Sequence, residues 1–201
     1  MLIKICGIKT LSSALAATSA GADFLGFNFV PTSERVITEE VAKEIIAGLS
    51  GAHPRIVGVF QNQPLNYVND VADRLDLDFV QLHGDETAEY CAFINRPVIK
   101  VFSVDAGFDA QAVMKQMEPY RAHYFMLDRK NRTGEILKGE KVTEVAKEFS
   151  IILAGGLTPE NVKGAAAHSG DISVVDVAGG VETNGEKDAE KIKKFVVEAR
   201  D

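Results

Sequence analysis

The sequence predicts an α/β protein whose residues 1–201 form one domain, a closed (β/α)8 barrel. Short apolar runs alternate with segments of helical periodicity from one end of the chain to the other. There are eight such pairs, and no linker, low-complexity run or change in composition separates them. An open doubly wound sheet usually has about five or six strands, so eight units favour closure into a barrel.

Each predicted strand is a short run rich in β-branched or aromatic residues, as expected for parallel strands that are buried on both faces. In the first strand, Cys6 stands at the carboxyl end, and Gly7 allows a sharp turn directly after it. The predicted strands are residues 2–6, 24–29, 55–60, 79–84, 97–102, 124–128, 151–156 and 172–177.

The predicted helices follow the strands and carry terminal signals. Gly21 closes the first helix in the place where a C-terminal glycine is expected, and Thr38 caps the second. Thr158 is predicted as the N-cap of the seventh helix, with Pro159 at its first position. The other predicted helices are residues 65–75, 86–93, 108–117, 141–148 and 188–200.

The composition is that of an ordinary globular protein, with 46% hydrophobic and 25% charged residues. A net charge of −7 without a basic stripe argues against a nucleic-acid partner. No signal peptide or apolar run of membrane length is visible, so no membrane association is expected. Cys6 and Cys91 lack the spacing of a disulfide or a metal site, which suits a reducing cytoplasm. The outer helices show no apolar stripe, which favours a monomer, with a homodimer as the alternative.

Five polar side chains are placed for chemistry by this assignment of strands. Cys6, His83, Asp128 and Asp176 fall at or near the carboxyl ends of strands 1, 4, 6 and 8, and Arg35 follows strand 2. Barrel enzymes build their active sites at this end of the barrel. A carboxylate directly after an apolar run, such as Asp128, is expected to point into a partly dry pocket, which suits it to the role of proton donor.

For the other four residues, structural roles compete with functional ones. Taken alone, Cys6 is usually a small buried hydrophobe and Arg35 usually a solvated loop charge, whereas His83 fits a structural and a functional role equally well. For Asp176, one residue before the end of its strand, a structural hydrogen bond is favoured.

Paired glycines after strands 7 and 8 predict a phosphate site. Gly155 and Gly156 follow strand 7, and Gly179 and Gly180 follow strand 8. Barrels frequently bind phosphate between these two loops through backbone N–H groups. One pair of glycines would be explained by a tight turn, but two pairs in the expected places favour a phosphorylated substrate.

Several short motifs occur in order along nearly the whole chain. They are KICGI (4–8), PTSER (31–35), VGVF (57–60), VQLHG (80–84), LD (127–128), LAGGLTPENV (153–162), VDV (175–177) and GVE (180–182). Each motif is weak alone, but in this order they are specific. The chain resembles the phosphoribosylanthranilate isomerase family, TIM barrels of tryptophan biosynthesis.

The resemblance implies the Amadori rearrangement of N-(5-phosphoribosyl)anthranilate to the 1-deoxyribulose product, without a metal or cofactor. Asp128 would be the general acid that opens the furanose ring. Cys6, as a thiolate, would be the general base that removes a proton from the adjacent sugar carbon. Arg35 would pair with the anthranilate carboxylate, and His83 and Asp176 would line the sugar site.

The chain departs from the family pattern in two loops. The loop after strand 8 carries Ala178 and Gly179 where the family usually has two serines, so only backbone donors remain there for a phosphate. The loop 129–139 is shorter than usual and cationic. We hypothesise that one of its basic residues, such as Arg129 or Arg132, compensates for weaker phosphate binding. A solvated charge run on a variable loop is the alternative.

Other barrel proteins fit parts of the sequence. A Schiff-base aldolase would need a lysine on an inner strand, for which Lys100 on strand 5 is the candidate. A metal-dependent epimerase would need histidines and aspartates on several strands, and His83 is the one histidine so placed. A non-catalytic phosphosugar-binding barrel would need the glycine loops but neither Cys6 nor Asp128.

Overall fold

The computed structural model describes residues 1–49, 51, 53–105, 107–129, 136–137, 139–167 and 172–201. Within these residues, eight parallel strands close into a barrel in which each strand pairs with its neighbours in chain order and β1 pairs with β8. The predicted barrel is therefore confirmed. The strands are β1 Leu2–Cys6, β2 Phe24–Asn28, β3 Arg55–Phe60, β4 Phe79–Leu82, β5 Val98–Val104, β6 Tyr124–Arg129, β7 Ile151–Ala154 and β8 Val174–Val177.

A helix follows each strand and covers the outside of the barrel. The helices are α1 Leu11–Ala20, α2 Glu39–Gly48, α3 Leu65–Arg74, α4 Ala88–Ala92, α5 Ala110–Met117, α6 Glu140–Glu148, α7 Val162–Ala167 and α8 Ala189–Arg200. Gly21 ends α1 in the left-handed conformation with φ 92°, and the Thr38 side chain accepts a hydrogen bond from the Val41 N–H, so both predicted caps are confirmed. No helix in the described part of the chain is long and apolar enough to cross a membrane.

The largest differences from the predicted elements lie in the last third of the chain. Strand β7 ends at Ala154 because Gly155 and Gly156 have φ values of 89° and 77°, which no strand can continue. The prediction that the seventh helix starts at Pro159 is wrong, since α7 starts at Val162. The hydrogen bonds expected of a Thr158 cap are nevertheless present, because its hydroxyl accepts from the Glu160 N–H at 3.2 Å and its carbonyl accepts from the Val162 N–H at 3.0 Å.

A small hairpin after β8 is absent from the predicted elements. Gly179–Val181 form a short 3-10 turn, and β9 Glu182–Thr183 pairs antiparallel with β10 Glu186–Lys187. Asn184 and Gly185 connect the two strands with φ values of 53° and 79°. The Asn-Gly dipeptide is the sequence signal for this type of two-residue turn, so the hairpin was predictable. It folds back beside the mouth of the barrel.

The alternation of side chains along each strand divides the apolar residues into two cores. Residues of one set, among them Phe24, Val57, Ile99 and Ile152, fill the inside of the barrel. The larger set lies between the sheet and the helices. Towards the carboxyl ends of the strands several inward-facing positions become polar, and the buried charges of Lys4, Asp128 and Asp176 lie there.

Candidate active site

A cavity of about 580 Å³ opens at the carboxyl ends of the barrel strands. All ten residues predicted for the site line it: Cys6, Arg35, His83, Asp128, Gly155, Gly156, Asp176, Ala178, Gly179 and Gly180. The strand alternation explains this, because inward-facing positions of seven of the barrel's strands, together with several of the loops that follow the strands, converge on this cavity. The structure thus brings the predicted residues together, while their individual roles stay predictions.

Cys6 is the last residue of β1, and its thiol is buried at the base of this cavity with 8% of the residue exposed. Burial raises the pKa of the Cys6 thiol, and the Asp176 carboxylate adds to this effect. The ammonium groups of Lys4 and Lys187 act in the opposite direction and favour the thiolate. A buried thiol becomes a useful base only where positive groups compensate for the loss of water.

Lys4 and Asp176 form a buried ion pair one layer below Cys6. The Lys4 Nζ donates to Asp176 Oδ1 at 2.7 Å, and Lys4 is fully buried. Burial alone would lower the pKa of Lys4, but the charges of Asp176 and Cys6 outweigh it and raise that pKa above its usual value. Lys4 is therefore an ammonium at neutral pH. Asp176 makes the structural hydrogen bond favoured from its position and also lines the cavity.

Asp128 and His83 form a second polar pair in the same cavity. The His83 Nε2 lies 3.2 Å from Asp128 Oδ2, and the two side chains are 29% and 11% exposed. Strand β6 carries Asp128, and His83 follows β4 directly, with its backbone N–H bonded to the Phe60 carbonyl at 2.8 Å. The imidazole thus orients a carboxyl group that faces the cavity.

The side chain of Arg35 is held by an acidic residue from the far end of the chain. Its Nε donates to Glu182 Oε1 and its Nη2 donates to Glu182 Oε2, both at 2.7 Å. Lys187 donates to the same carboxylate at 2.6 Å and to the Ala178 carbonyl at 3.0 Å. Despite partial burial, these hydrogen bonds lower the pKa of Glu182 to about 2. Arg35 is accordingly fixed at the mouth of the cavity with Nη1 outside this pair, and the interpretation of a solvated loop charge does not fit.

The glycines after β7 and β8 leave room for close backbone packing. A Cβ built on Gly155 would stand 2.6 Å from Cβ of Arg129 and 2.8 Å from Asp128 Oδ1, so no larger residue fits beside the Asp128 carboxylate. A Cβ on Gly180 would collide with the carbonyl oxygen of Leu157. The two glycine loops therefore pack against each other, and both line the cavity.

The cationic loop after β6 is described in part. Arg129 belongs to β6 and is buried, with 7% of its surface exposed, so it is not part of a solvated charge run. It is not among the described residues that line the cavity. Arg132, the other basic residue named for phosphate binding, lies outside the described residues, and the hypothesis of compensation stays a prediction.

Lys100, the lysine considered for a Schiff base, points away from the cavity. Its Nζ donates to the Gly84 carbonyl at 2.6 Å and to Glu86 Oε2 at 3.1 Å. The Glu86 carboxylate also accepts from the N–H groups of Asn62 and Gly84. Lys100 thus braces the loops after β3 and β4 from outside the barrel and is not placed for an aldolase. Among the lysines on the described barrel strands, Lys4 is the one that faces inward.

Several site residues were missed at the level of the sequence. Lys4 and Gln81 both line the interior, and both stand two residues before a predicted site residue, so strand alternation could have identified them. Gln81 is 2% exposed, its Nε2 contacts the Met126 sulfur at 3.6 Å, and its Oε1 has no hydrogen-bond partner in the described structure. No comparable pattern links Glu182 and Lys187 to Arg35.

Comparison with known proteins gives a match over nearly the whole chain. Residues 3–198 match the family model described as N-(5'phosphoribosyl)anthranilate (PRA) isomerase. The N-(5'-phosphoribosyl)anthranilate isomerase of Geobacter metallireducens is 43% identical over 205 residues, with 98% of each chain covered.

Solved structures give the same result. The phosphoribosyl anthranilate isomerase of Thermus thermophilus superimposes with a TM-score of 0.87 at 34% identity and covers 100% of this chain and 98% of its own. A phosphoribosyl anthranilate isomerase in complex with reduced 1-(o-carboxyphenylamino)-1-deoxyribulose 5-phosphate superimposes with a TM-score of 0.85 at 34% identity. It covers 100% of this chain and 98% of its own.

Proposed function

The chain belongs to the N-(5'-phosphoribosyl)anthranilate isomerase family, and we propose that Cys6 is the general base and Asp128 the general acid of its reaction. The protein is an isomerase of tryptophan biosynthesis that converts N-(5'-phosphoribosyl)anthranilate to its 1-deoxyribulose isomer. Its substrate is a small phosphosugar. The assignment of roles rests on one observation, which is that a thiol on β1 and a carboxyl group on β6 line the same cavity.

The reaction requires an acid first. Asp128 gives its proton to the oxygen of the furanose ring, and the bond between this oxygen and C1 breaks. The lone pair of the anthranilate nitrogen forms the C1=N bond of a cationic Schiff base. His83, 3.2 Å from the Asp128 carboxylate, holds this group towards the ring and stabilises it after the proton has left.

The second step requires a base. The Cys6 thiolate takes the proton from C2, the C–H electron pair becomes the C1=C2 bond, and the C=N electron pair returns to nitrogen. The product is a neutral enolamine. It becomes the ketone when C1 gains a proton and the C2 hydroxyl loses one. A neutral thiol and a neutral enolamine replace a thiolate and a cation, so no net charge is created in the buried site.

Three further groups fit the remaining parts of the substrate. Arg35 matches the planar anthranilate carboxylate, and Glu182 fixes its guanidinium at 2.7 Å before the substrate arrives. The glycine loops after β7 and β8 offer backbone N–H groups to the phosphate. Gln81 Oε1 is a buried acceptor without a partner in the described structure, and we assign it to a donor group of the substrate.

The proposal is tested by turnover of N-(5'-phosphoribosyl)anthranilate generated in situ and followed by the loss of its fluorescence. We expect activity in the wild type and a loss of about 10³-fold or more in kcat for Cys6→Ala and Asp128→Asn. Cys91→Ala is the matched control, because Cys91 is a buried thiol outside the cavity. Activity that survives in Cys6→Ala or Asp128→Asn, in protein with a wild-type circular dichroism spectrum, would contradict the assigned role.

We further propose that residues 1–201 form one domain and that the protein is a cytoplasmic monomer. Among the described residues, seven large apolar residues are exposed, and they are distributed over several elements: Met1; Leu11 and Leu15 on α1; Val36; Val41 on α2; Phe93 after α4; and Val197 on α8. A single unfolding transition together with a mass of 21.7 kDa by light scattering would agree with this, and twice that mass would not.

A further inference from the structure

The buried ion pair of Lys4 and Asp176 has no part in the mechanism described above, although it lies at the centre of the barrel. A fully buried lysine loses the hydration of its charge, and a buried pair is often no more stable than apolar residues of the same size. A gain in stability therefore does not explain why a charged pair lies in this place. The position of the pair next to Cys6, the proposed base, does explain it.

We propose that Lys4 is a positioning residue for the general base, and that its ammonium, held by Asp176, stabilises the Cys6 thiolate in the barrel interior. The inference rests on the proposed role of Cys6. Lys4 and Cys6 are two residues apart on β1, so both side chains point inward. Asp176 is the register partner of Lys4 on β8 and anchors its Nζ at 2.7 Å.

Strand β2, which pairs with β1 on the side opposite to β8, provides the space in which Lys4 and Cys6 approach each other. Gly26 on β2 is the register partner of Cys6. A Cβ built on Gly26 would stand 2.7 Å from the Cys6 sulfur and 3.0 Å from the Lys4 nitrogen. Both atoms therefore occupy the space that a larger residue on β2 would fill. The missing side chain of Gly26 lets the ammonium and the thiol approach the same point.

The charges that face Cys6 from each neighbouring element favour this role. Lys4 contributes from β1, Asp176 from β8, Lys187 from β10 and Arg35 from the loop after β2. Burial raises the pKa of the Cys6 thiol, and Lys4 is the strongest of the groups that lower it.

The pKa of Lys4 is itself raised, so the group carries its charge throughout the working pH range and acts as a fixed cation. Glu182 pairs with Lys187 and Arg35. The His83–Asp128 pair lines the same cavity from β4 and β6.

The test is the pH dependence of alkylation of Cys6 by iodoacetamide, which reacts with the thiolate. Modification is measured for each cysteine separately by peptide mass spectrometry, so that buried Cys91 is an internal control in the same protein. Two variants are expected to change the pH midpoint of Cys6 alkylation in opposite directions. Asp176→Asn removes the negative charge and keeps the ammonium, and the double variant Lys4→Met/Asp176→Asn removes both charges without leaving one of them unpaired.

We expect opposite shifts in the midpoint of the Cys6 titration. In Asp176→Asn the midpoint should fall by about one pH unit, and in the double variant it should rise by about one pH unit or more, because Lys4 acts more strongly on the thiol than Asp176 does. The midpoint of Cys91 should not move. A purely structural pair would change the melting temperature and leave the Cys6 midpoint in place, and that result would overturn the inference.

The single variant keeps the inference testable if the double variant does not fold, since an unchanged midpoint in Asp176→Asn contradicts it equally. The outcome is also separate from the proposed function. If Cys6 is not the base, Cys6→Ala remains active, whereas the alkylation midpoints still report whether Lys4 acts on the thiol. If Cys6 is the base and the midpoints do not shift, the role of Lys4 alone is refuted.

Discussion

Substitution of Gly26 by alanine tests the geometry around Cys6 with a single methyl group. The added Cβ would stand 2.7 Å from the Cys6 sulfur, 3.0 Å from the Lys4 nitrogen and 3.1 Å from the Cys6 Cα. An ordinary contact between such atoms is about 3.5–4 Å, so the sulfur must move by about 1 Å. The Cα cannot relieve the contact without bending β1, which is hydrogen-bonded on both sides. The displacement therefore falls on the reacting side chain.

A displacement of about 1 Å at a reacting group costs about 10²-fold in rate. We expect kcat of Gly26→Ala to fall by about this factor, with a smaller change in KM, because the three atoms nearest to the added Cβ belong to Cys6 and Lys4 and not to the groups assigned to the phosphate or the carboxylate. The assay is turnover of N-(5'-phosphoribosyl)anthranilate at saturating and limiting substrate. Thermal unfolding of the same samples establishes that the variant is folded at the assay temperature.

The matched control is Gly164→Ala. Gly164 is exposed on α7, and a Cβ built there meets nothing within 4 Å among the described residues apart from its own helix backbone and chain neighbours. This variant should keep the wild-type kcat and gain up to about 1 kcal/mol of stability from the helix propensity of alanine. If Gly26→Ala, folded and with a normal melting temperature, turns over at the rate of the control, then the position of Cys6 against β2 does not matter for the reaction and the reasoning is refuted.

Two other side chains give separate predictions. The pKa of Glu182 is about 2 in the folded protein against an ordinary 4.5, which corresponds to about 3 kcal/mol and, after a reduction for partial exposure, to about 1–2 kcal/mol. This stability is present above pH 4.5 and is lost as the pH falls towards 2. The free energy of unfolding measured in urea should therefore fall more over this pH range in wild type than in Glu182→Gln. Equal losses in the two proteins would contradict the assignment. Gln81→Leu removes a buried acceptor without a partner in the described structure, so it should leave the protein at least as stable while raising KM about 10-fold; an unchanged KM would exclude contact with the substrate.

The barrel and the position of the predicted site residues could be derived from the sequence because both depend on local patterns. Each strand has its own apolar run, and the polar residue that ends the run lies at the mouth of a parallel barrel whatever the exact boundaries are. Errors of two residues at the ends of β5, β7 or β8 therefore did not move Asp128 or Gly155 out of the site.

The partners of the site residues could be derived less completely. Lys4 and Gln81 follow from the same alternation that placed Cys6 and His83, since residues two apart on a strand face the same side. The pair of Arg35 with Glu182 joins positions that are 147 residues apart, and no local pattern specifies it. The Asn184-Gly185 turn was a local signal, but the contacts of the hairpin it forms are tertiary.

The charges around Cys6 explain why a base of this kind is workable in a buried site. Among the described residues, Lys4, Lys187 and Arg35 are positive, and Asp176 and Glu182 are negative, so the cluster has one positive charge in excess when Cys6 is a thiol. Loss of the Cys6 proton, which creates the thiolate, balances that excess. When Cys6 takes the proton, the excess returns, and the cationic Schiff base beside it becomes neutral in the same step. The net charge of Cys6 and the reacting intermediate together is therefore the same before and after proton transfer. The surrounding charged groups consequently need to reorganise little during this step.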